Sequence, residues 1–374
     1  MSINQPYRPE PDDGRPAAPG QAAWDGPGAG RSPQPLPTGP GRSADGHLAP
    51  MAIPVPPGQA GPNGPGVVRI GLWGAPRSGK TTFLCALPIA AMQYAEHGKG
   101  NWIIGGLTPQ ASRFLSSSVP MLAVDGGFPP PTQAPESMSW SFQGEEPRRF
   151  GRPREVGFVL DLHDVSGEFY EPGHPQHATV IDQLATAHAL VYLFDPLLDG
   201  EAETRSLNFF FATLNELNSR IRDQRGLRGN RLPHHVAVCV TKFDDPEVFR
   251  PSVEARWVTQ EDVGARIPRV PQELGAGYFD WICNTYRGSS ARLVRNGLSN
   301  YFHPERVSYY ATSAIGFRLN ADGIFDYRSY ASVEQVGGAA HIVASPRPIN
   351  VLEPLIDLER RITADQGRTW GRRR

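Results

Sequence analysis

The chain has 374 residues and a formal net charge of −1 at pH 7, so bulk electrostatics give no reason to expect nucleic acid or an anionic membrane as a partner. No run of about 18 apolar residues occurs, and the polar N-terminus lacks the apolar core of a signal peptide. We therefore expect a cytoplasmic protein with no membrane span.

The first 66 residues differ from the rest in composition, because they contain 16 prolines and 12 glycines. A segment with so few large apolar residues cannot offset the entropy that it would lose on ordering. The composition predicts a disordered, partly polyproline-like tail over 1–66. Proline-rich tails can dock into aromatic grooves, so a partner-binding role stays open.

Order is predicted to begin at residue 67. The apolar run over 67–73 is typical of a buried strand, and apolar spacing then predicts helices over 80–94 and 109–124. Strands over 138–143 and 155–162 follow. Because only a short polar link separates them, they are expected to form an antiparallel hairpin.

Short continuous apolar runs at 190–194 and 236–240 are typical of parallel strands that are covered on both faces, and a helix over 202–223 lies between them. The last predicted strand is 307–311. Further helices are predicted over 272–286, 290–301 and 351–364. Strands that alternate with helices predict an α/β fold with a doubly wound, mostly parallel sheet and one antiparallel edge strand.

One domain over 67–365, with helical insertions near 96–126 and 245–306, fits this pattern better than two domains. The basic end over 366–374 is expected to be solvated. Aromatic residues in the second insertion are expected to be core more than interface: Tyr278, Phe279, Trp281 and Tyr286. Scattered cysteines predict buried thiols and no disulfide or zinc site: Cys85, Cys239 and Cys283.

A phosphate-binding loop is predicted between the first strand and the first helix. The pattern G-x-x-x-x-G-K-[ST] is matched in full and is followed by Thr82: Gly74, Ala75, Pro76, Arg77, Ser78, Gly79, Lys80 and Thr81. Gly74 and Gly79 allow a tight turn in which backbone N–H groups and the helix N-terminus meet phosphate oxygens. Lys80 would reach the β and γ phosphates, and the Thr81 hydroxyl would bind Mg²⁺. The motif leaves the base open.

The base is indicated by Thr241-Lys242-Phe243-Asp244, at the end of an apolar strand. This sequence resembles the [N/T]-K-x-D motif of Ras-like, translation-factor-related (TRAFAC) GTPases. The Asp244 carboxylate could accept both the N1–H and the N2 amino group of guanine, whereas adenine offers neither donor. The stem of Lys242 would pack along the base plane.

Two further motifs occur in the order of that family. Residues 312–314 follow a strand, and the resemblance implies that Ser313 and Ala314 line guanine, with a backbone N–H meeting its O6 atom. Asp164 and Gly167 form a D-x-x-G sequence. By resemblance, Asp164 holds Mg²⁺ through water, and the Gly167 N–H touches the γ-phosphate.

The remaining switch residues depart from the family pattern. Thr132, just before the hairpin, is the preferred threonine for Mg²⁺ and the γ-phosphate, and Thr108 is the alternative. Glu168 follows Gly167, where many of these GTPases have the glutamine that orients the attacking water. Because a carboxylate there would repel the phosphate, slow intrinsic hydrolysis is expected.

Arg77 offers another route to hydrolysis. The loop is similar to those of atlastins and guanylate-binding proteins, which place arginine three positions before the lysine and lack the switch glutamine. The resemblance implies that Arg77 stabilises the transition state in cis and that GTP-loaded domains form a homodimer. The alternative is a solvated arginine at the rim of the site. This similarity covers the loop alone, because residues 241–244 differ from the base motif of those families.

Over 67–365 the layout resembles large bacterial GTPases of the double-GTPase type, which are found in actinobacterial regulatory and conflict gene clusters. The Gly127-to-Thr132 loop and residues 347–355 carry this resemblance. Three functions remain open: a Mg²⁺-dependent GTPase switch that regulates an unknown effector protein, a poorly hydrolysing GTP-bound scaffold, and a P-loop ATPase. A metal site at His163, His174 and His177 is disfavoured against solvated or switch-loop histidines.

Overall fold

The computed structural model describes residues 67–96, 100–130, 136–147, 151–164, 177–198, 204–262 and 264–371. The tail predicted over 1–66 lies outside these residues, as do Thr132, Gly167 and Glu168. Among the described residues, no helix has both the length and the apolar character needed to cross a bilayer.

The architecture is a seven-stranded sheet in the order β2-β3-β4-β1-β5-β6-β7. The strands are β1 Val68–Gly74, β2 Trp102–Gly106, β3 Glu136–Glu146, β4 Arg154–Asp164, β5 Ala189–Phe194, β6 His235–Val240 and β7 Val307–Ala311. Pairings among β4, β1, β5, β6 and β7 are parallel, while β3 is antiparallel to β2 and to β4. The predicted fold class and the predicted hairpin are confirmed.

Strand β2 was not predicted, and it forms the edge of the sheet beyond β3. The antiparallel strand therefore lies one position inside the edge. The two strands fit closely, since a Cβ added at Gly144 of β3 would lie 2.4 Å from the ring of Trp102. This packing between segments distant in sequence, more than local propensity, accounts for a five-residue strand that ends in two glycines.

Helices occupy the connections, as predicted for a doubly wound sheet. They are α1 Lys80–Glu96, α2 Pro109–Ala123, α3 His177–Thr186, α4 Arg205–Asp223, α5 Pro246–Glu254, α6 Gly275–Trp281, α7 Ser289–Tyr301 and α8 Glu353–Gly371. A π-helix, Ile282–Tyr286, follows α6 directly. Helices α3 and α5 were not predicted from the sequence. The mostly exposed hairpin of β8 (Val333–Val336) and β9 (Ala339–Ile342) was not predicted either. Helix α8 continues past its predicted end at residue 364.

The sheet separates two apolar clusters. Side chains of β5 alternate between them, with Val191 and Leu193 in the cluster that includes α1 and α8, and Leu190 and Tyr192 in the cluster that includes α4 and α7. All residues of β5 and β6 are buried, which confirms the prediction of strands covered on both faces. The three cysteines are free and buried, as predicted.

The insertion between β6 and β7 belongs to the second cluster. Tyr278 and Phe279 are fully buried, and Trp281 and Tyr286 are partly buried and packed against the same cluster. The interpretation of these aromatic residues as core is therefore confirmed.

Candidate functional site

Loops that follow the carboxyl ends of neighbouring parallel strands lie at one edge of a sheet, where α/β folds of this kind place their ligands. Here the loops after β1, β5, β6 and β7 meet this condition, because those strands are adjacent and parallel. They begin at Ala75, Asp195, Thr241 and Thr312. Three of these loops contain predicted site residues, whereas the loop at Asp195 was not predicted.

The loop between β1 and α1 has the tight turn expected from its glycines. A Cβ at Gly74 would lie 2.8 Å from the Leu193 carbonyl oxygen and 2.7 Å from the Ser78 hydroxyl, so a larger residue does not fit. Gly79 has a φ of 89°, and Arg77 adopts the left-handed region with a φ of 66°. A non-glycine residue in this region is strained, and such strain concentrates at functional sites.

Lys80 and the loop backbone form a concentrated set of donors. The Lys80 side chain is buried, and its Nζ donates to the carbonyl oxygens of Gly74 at 2.8 Å and Ala75 at 2.9 Å. The backbone N–H groups of Arg77 and Gly79 have no hydrogen-bond acceptor among the described residues. Donors gathered at a helix N-terminus in this way form an anion-binding concavity.

The remaining loop residues take distinct positions. Pro76 and Arg77 are exposed at the tip of the turn, whereas the Ser78 hydroxyl is buried. Thr81 and Thr82 follow Lys80 in the first turn of α1 and are half-buried. Thr81 thus directly follows the buried cation at the start of α1, and its predicted role as a Mg²⁺ ligand stays a prediction.

The loop after β6 is fastened to both neighbouring strands. The backbone N–H of Thr241 donates to the Phe194 carbonyl at 2.8 Å, and that of Phe243 donates to the Thr312 carbonyl at 3.1 Å. The Phe243 ring is fully buried in the core. Lys242 and Asp244 alternate with these anchored residues and are partly exposed. The side chains of Lys242 and Asp244, which are predicted to contact a base, are thus both partly accessible to solvent.

Asp244 and Ser313 come together across β6 and β7. Burial raises the pKa of Asp244 to about 6, and a hydrogen bond from the Ser313 hydroxyl opposes that rise. The Ser313 oxygen accepts from the backbone N–H groups of Ile315 at 3.3 Å and Gly316 at 2.6 Å. Because those bonds use its acceptor capacity, its single proton is directed to the carboxylate.

The loop that contains Ser313 is hydrogen-bonded to the segment that precedes α8. Ser313 and Ile349 exchange backbone hydrogen bonds of 3.0 and 2.8 Å. Gly316 has a φ of 68°, and a Cβ there would lie 1.9 Å from the Arg347 carbonyl oxygen. The neighbouring Ala314 N–H donates to no acceptor within the described part of the chain. It is available to a ligand beside Asp244.

The residue that sequence reasoning missed is Asp195, directly after β5. Its carboxylate is completely buried, and Oδ2 lies 2.6 Å from Nζ of Lys242. Burial raises the pKa of Asp195, and the Lys242 cation opposes this rise. A signal was present, because one acidic residue ends an otherwise apolar run at the edge where the other motifs lie.

The candidate metal residues are described in part. Asp164 ends β4, beside β1, and its backbone pairs with Glu136 at the start of β3. Thr132 lies four positions before Glu136 but, like Gly167 and Glu168, is outside the described residues. The alternative, Thr108, accepts from the Ala111 N–H at 3.1 Å and caps α2. No three His, Cys, Asp or Glu side chains of the described residues group as a metal site.

No protein-family model and no curated protein sequence matches the chain. Similar solved structures include Sup35 complexed with GDP, with 14% identity, a TM-score of 0.26, and coverage of 69% of this chain and 40% of that chain. They also include the signal recognition particle receptor SRβ-GTP/SRX complex of Chaetomium thermophilum, with 14% identity, a TM-score of 0.29, and coverage of 66% and 94%. The chain thus matches less than half of the Sup35 chain.

Proposed function

We propose that the chain binds guanine nucleotides with Mg²⁺, hydrolyses GTP to GDP and phosphate, and regulates a partner protein according to the nucleotide bound. The observation that carries the proposal is the meeting of Asp244 with Ser313 at the same sheet edge as the Lys80 loop, together with an Ala314 N–H that has no acceptor among the described residues. The proposed phosphate and base sites would thus lie at one edge of the sheet, with β5 between the strands that lead to them.

The phosphate end is supported by the charge and geometry of the loop. Lys80 is a buried point charge, and the N–H groups of Arg77 and Gly79, which have no acceptor in the described part of the chain, add donors at the N-terminus of α1. Charge-assisted hydrogen bonds from such donors to phosphate are about twice as strong as neutral ones. The Gly74 carbonyl that accepts from Lys80 fixes the ammonium group close to the loop.

The base end is supported by the donor and acceptor pattern. The ionised Asp244 carboxylate presents two acceptors, which match the N1–H and N2 amino donors of guanine. The Ala314 N–H supplies the opposite polarity, a donor for guanine O6. Adenine would offer no donor to the partly buried carboxylate, and a buried acceptor position left without a donor costs about 1–3 kcal/mol or more. Guanine is therefore favoured over adenine.

The ionisation of Asp244 predicts a pH dependence of binding. Its pKa is about 6, and only the ionised form offers two acceptors. GDP affinity should reach its maximum above about pH 7. Below pH 6 it should fall about tenfold per pH unit, since protonation of Asp244 competes with nucleotide binding. The measurement is GDP titration at several pH values. A constant affinity between about pH 5 and 8 would contradict this role of the carboxylate.

Mg²⁺ would be held by Thr81 and Asp164, with Thr132 joining in the GTP-bound state. Few protein ligands suffice, because Mg²⁺ retains water and uses phosphate oxygens as its other ligands. When bound, the ion neutralises the negative charge that builds up on the phosphates. In the proposed switch, Thr132 and the Gly167 N–H gain or lose the γ-phosphate, and this change alters the surface offered to the effector.

Arg77 is the proposed catalytic group of the loop. It is exposed and held in a left-handed turn close to Gly79. Arg77→Ala should lower the single-turnover GTP hydrolysis rate roughly 10- to 100-fold, since a cation is most useful where charge develops in the transition state. GTP affinity should change less than about threefold, because exposed charges contribute little to binding. Equal hydrolysis rates in the two proteins would eliminate this role.

Single-turnover hydrolysis of GTP and ATP by the full chain, with and without Mg²⁺, tests the function as a whole. We expect Mg²⁺-dependent GTP turnover that rises with protein concentration if a GTP-dependent homodimer forms. Tight GTP binding without turnover would favour the scaffold, for which Glu168 is the motivating residue. Equal affinity for GTP and ATP would favour an ATPase and overturn the choice of guanine.

A further inference from the structure

Asp195 is a buried carboxylate in the middle of the proposed site that neither the phosphate loop nor the base motif accounts for. It follows β5 directly, and β5 lies between β1, which leads to Lys80, and β6, which leads to Lys242. Its side chain has no exposed surface. A buried aspartate is costly unless it is paired, so its contacts identify its task.

Both oxygens of Asp195 are engaged. Oδ1 accepts from the Leu197 N–H at 2.9 Å, which turns the chain after β5. Oδ2 lies 2.6 Å from Nζ of Lys242, in an ion pair that is short but not aligned as a hydrogen bond. One oxygen therefore fixes the carboxylate, and the other holds the tip of a lysine on the neighbouring loop.

The lysine is constrained at both ends. Its backbone has a φ of 58°, and its carbonyl accepts from the Asp245 N–H at 2.9 Å. With Nζ held by Asp195, the four-carbon stem between these points loses most of its rotamers before any ligand arrives. Pre-ordering a side chain in this way removes part of the conformational entropy that would otherwise be lost on binding.

From this geometry we infer that Asp195 is a positioning residue that holds the Lys242 stem against the face of the bound guanine. The inference rests on the proposed function, because it concerns the base site. Asp195 acts through Lys242, and the base is common to GDP and GTP. Its removal must therefore affect both nucleotides equally and leave the phosphate chemistry unchanged.

The two members of the pair differ in a way that separates positioning from a structural role. The Lys242 side chain is 40% exposed, so it can hydrate when its partner is removed. Asp195→Asn should therefore cost the unliganded fold little. Lys242→Met should cost more, because it leaves a fully buried carboxylate without a counter-charge.

The experiment is a double-mutant cycle on the full chain with fluorescent GDP and GTP analogues. Asp195→Asn should raise both dissociation rate constants roughly tenfold and by the same factor, since changes at a binding surface appear mainly in dissociation. In a Lys242→Met background, the same substitution should have almost no further effect. The single-turnover hydrolysis rate of bound GTP should remain that of the wild type.

Asp280→Asn is the matched control, because Asp280 of α6 also forms an ion pair of 2.6 Å, with Arg295 of α7. It should leave nucleotide dissociation unchanged. If the wild type binds GDP but Asp195→Asn dissociates at the wild-type rate, the positioning role is wrong and the proposed function stands. Additive effects in the cycle would also overturn it. Failure of the wild type to bind either nucleotide would instead reject the proposed function itself.

Lys242→Arg serves as the second variant if Asp195→Asn proves unstable, because it alters the pair from the exposed side without leaving Asp195 unpaired. Lys242→Arg retains a cation for Asp195, and its GDP dissociation should lie between those of the wild type and Lys242→Met. An arginine variant that dissociates faster than the methionine variant would contradict positioning by the ion pair.

Discussion

Asp244→Asn is expected to change the preferred base from guanine to xanthine. The carboxylate presents two acceptors to the two donors of guanine, whereas asparagine presents one acceptor and one donor. Xanthine has an N1–H donor and a C2 carbonyl acceptor, which match asparagine. Hydrogen bonds to charged groups are worth about 1.5–3 kcal/mol each. GDP affinity should therefore fall roughly 100-fold while the affinity for xanthosine diphosphate rises.

The test is competitive titration of the wild type and the variant with the diphosphates of guanosine, xanthosine and adenosine. Asp245→Asn is a close control, because it removes the same charge one position along the chain. Asp245 caps α5 by accepting from the Glu247 N–H at 2.8 Å, and asparagine can keep that bond. An unchanged order of preference in Asp244→Asn would show that Asp244 does not read the base.

Lys80→Met is expected to have the largest effect on phosphate binding. The variant keeps the apolar stem but removes a buried cation that donates to two loop carbonyls. Losing a buried charge partner costs about 2–5 kcal/mol, so GTP affinity should fall by roughly two orders of magnitude or more. Isothermal titration with GTP and Mg²⁺ measures the change.

The chain has only three lysines, and Lys99→Met removes the one outside both predicted nucleotide motifs. This control should bind GTP as the wild type does. In thermal unfolding without nucleotide, Lys80→Met should have a modestly lower Tm than the wild type, because the Gly74 and Ala75 carbonyls lose their hydrogen-bond donor. GTP affinity within about threefold of the wild type would contradict the phosphate site; such a change is below 1 kcal/mol.

The strands of the sheet interior could be predicted because their burial leaves little choice of residue. β5 and β6 are covered on both faces, so their sequences are continuous apolar runs. The hairpin of β8 and β9 illustrates the opposite case. Its turn contains Gly337 and Gly338, both with positive φ, but the flanking strands are mostly exposed, and their contact with the core is limited to the paired residues Val333 and Ile342. A glycine turn without apolar alternation does not distinguish a hairpin from a loop.

The parts of the candidate site that are formed by residues close together in sequence could also be predicted. The turn around Lys80 is encoded by glycines within eight residues, so the motif itself carries the geometry. The Asp195–Lys242 pair depends instead on the register of β5 with β6, in which Phe194 lies opposite Val240. No local pattern encodes that register. The same is true of Ile349, which supports Ser313 from a segment beyond the sheet.

The nucleotide that co-purifies with the full chain tests the central claim most directly. Denatured protein should release GDP or GTP, identified by chromatography and mass spectrometry, in an amount close to one molecule per chain. Asp244→Asn, purified in parallel, should release little guanine nucleotide. Release of ADP or ATP in comparable amounts, or guanine nucleotide at the same level from the variant, would contradict a guanine site built on Asp244.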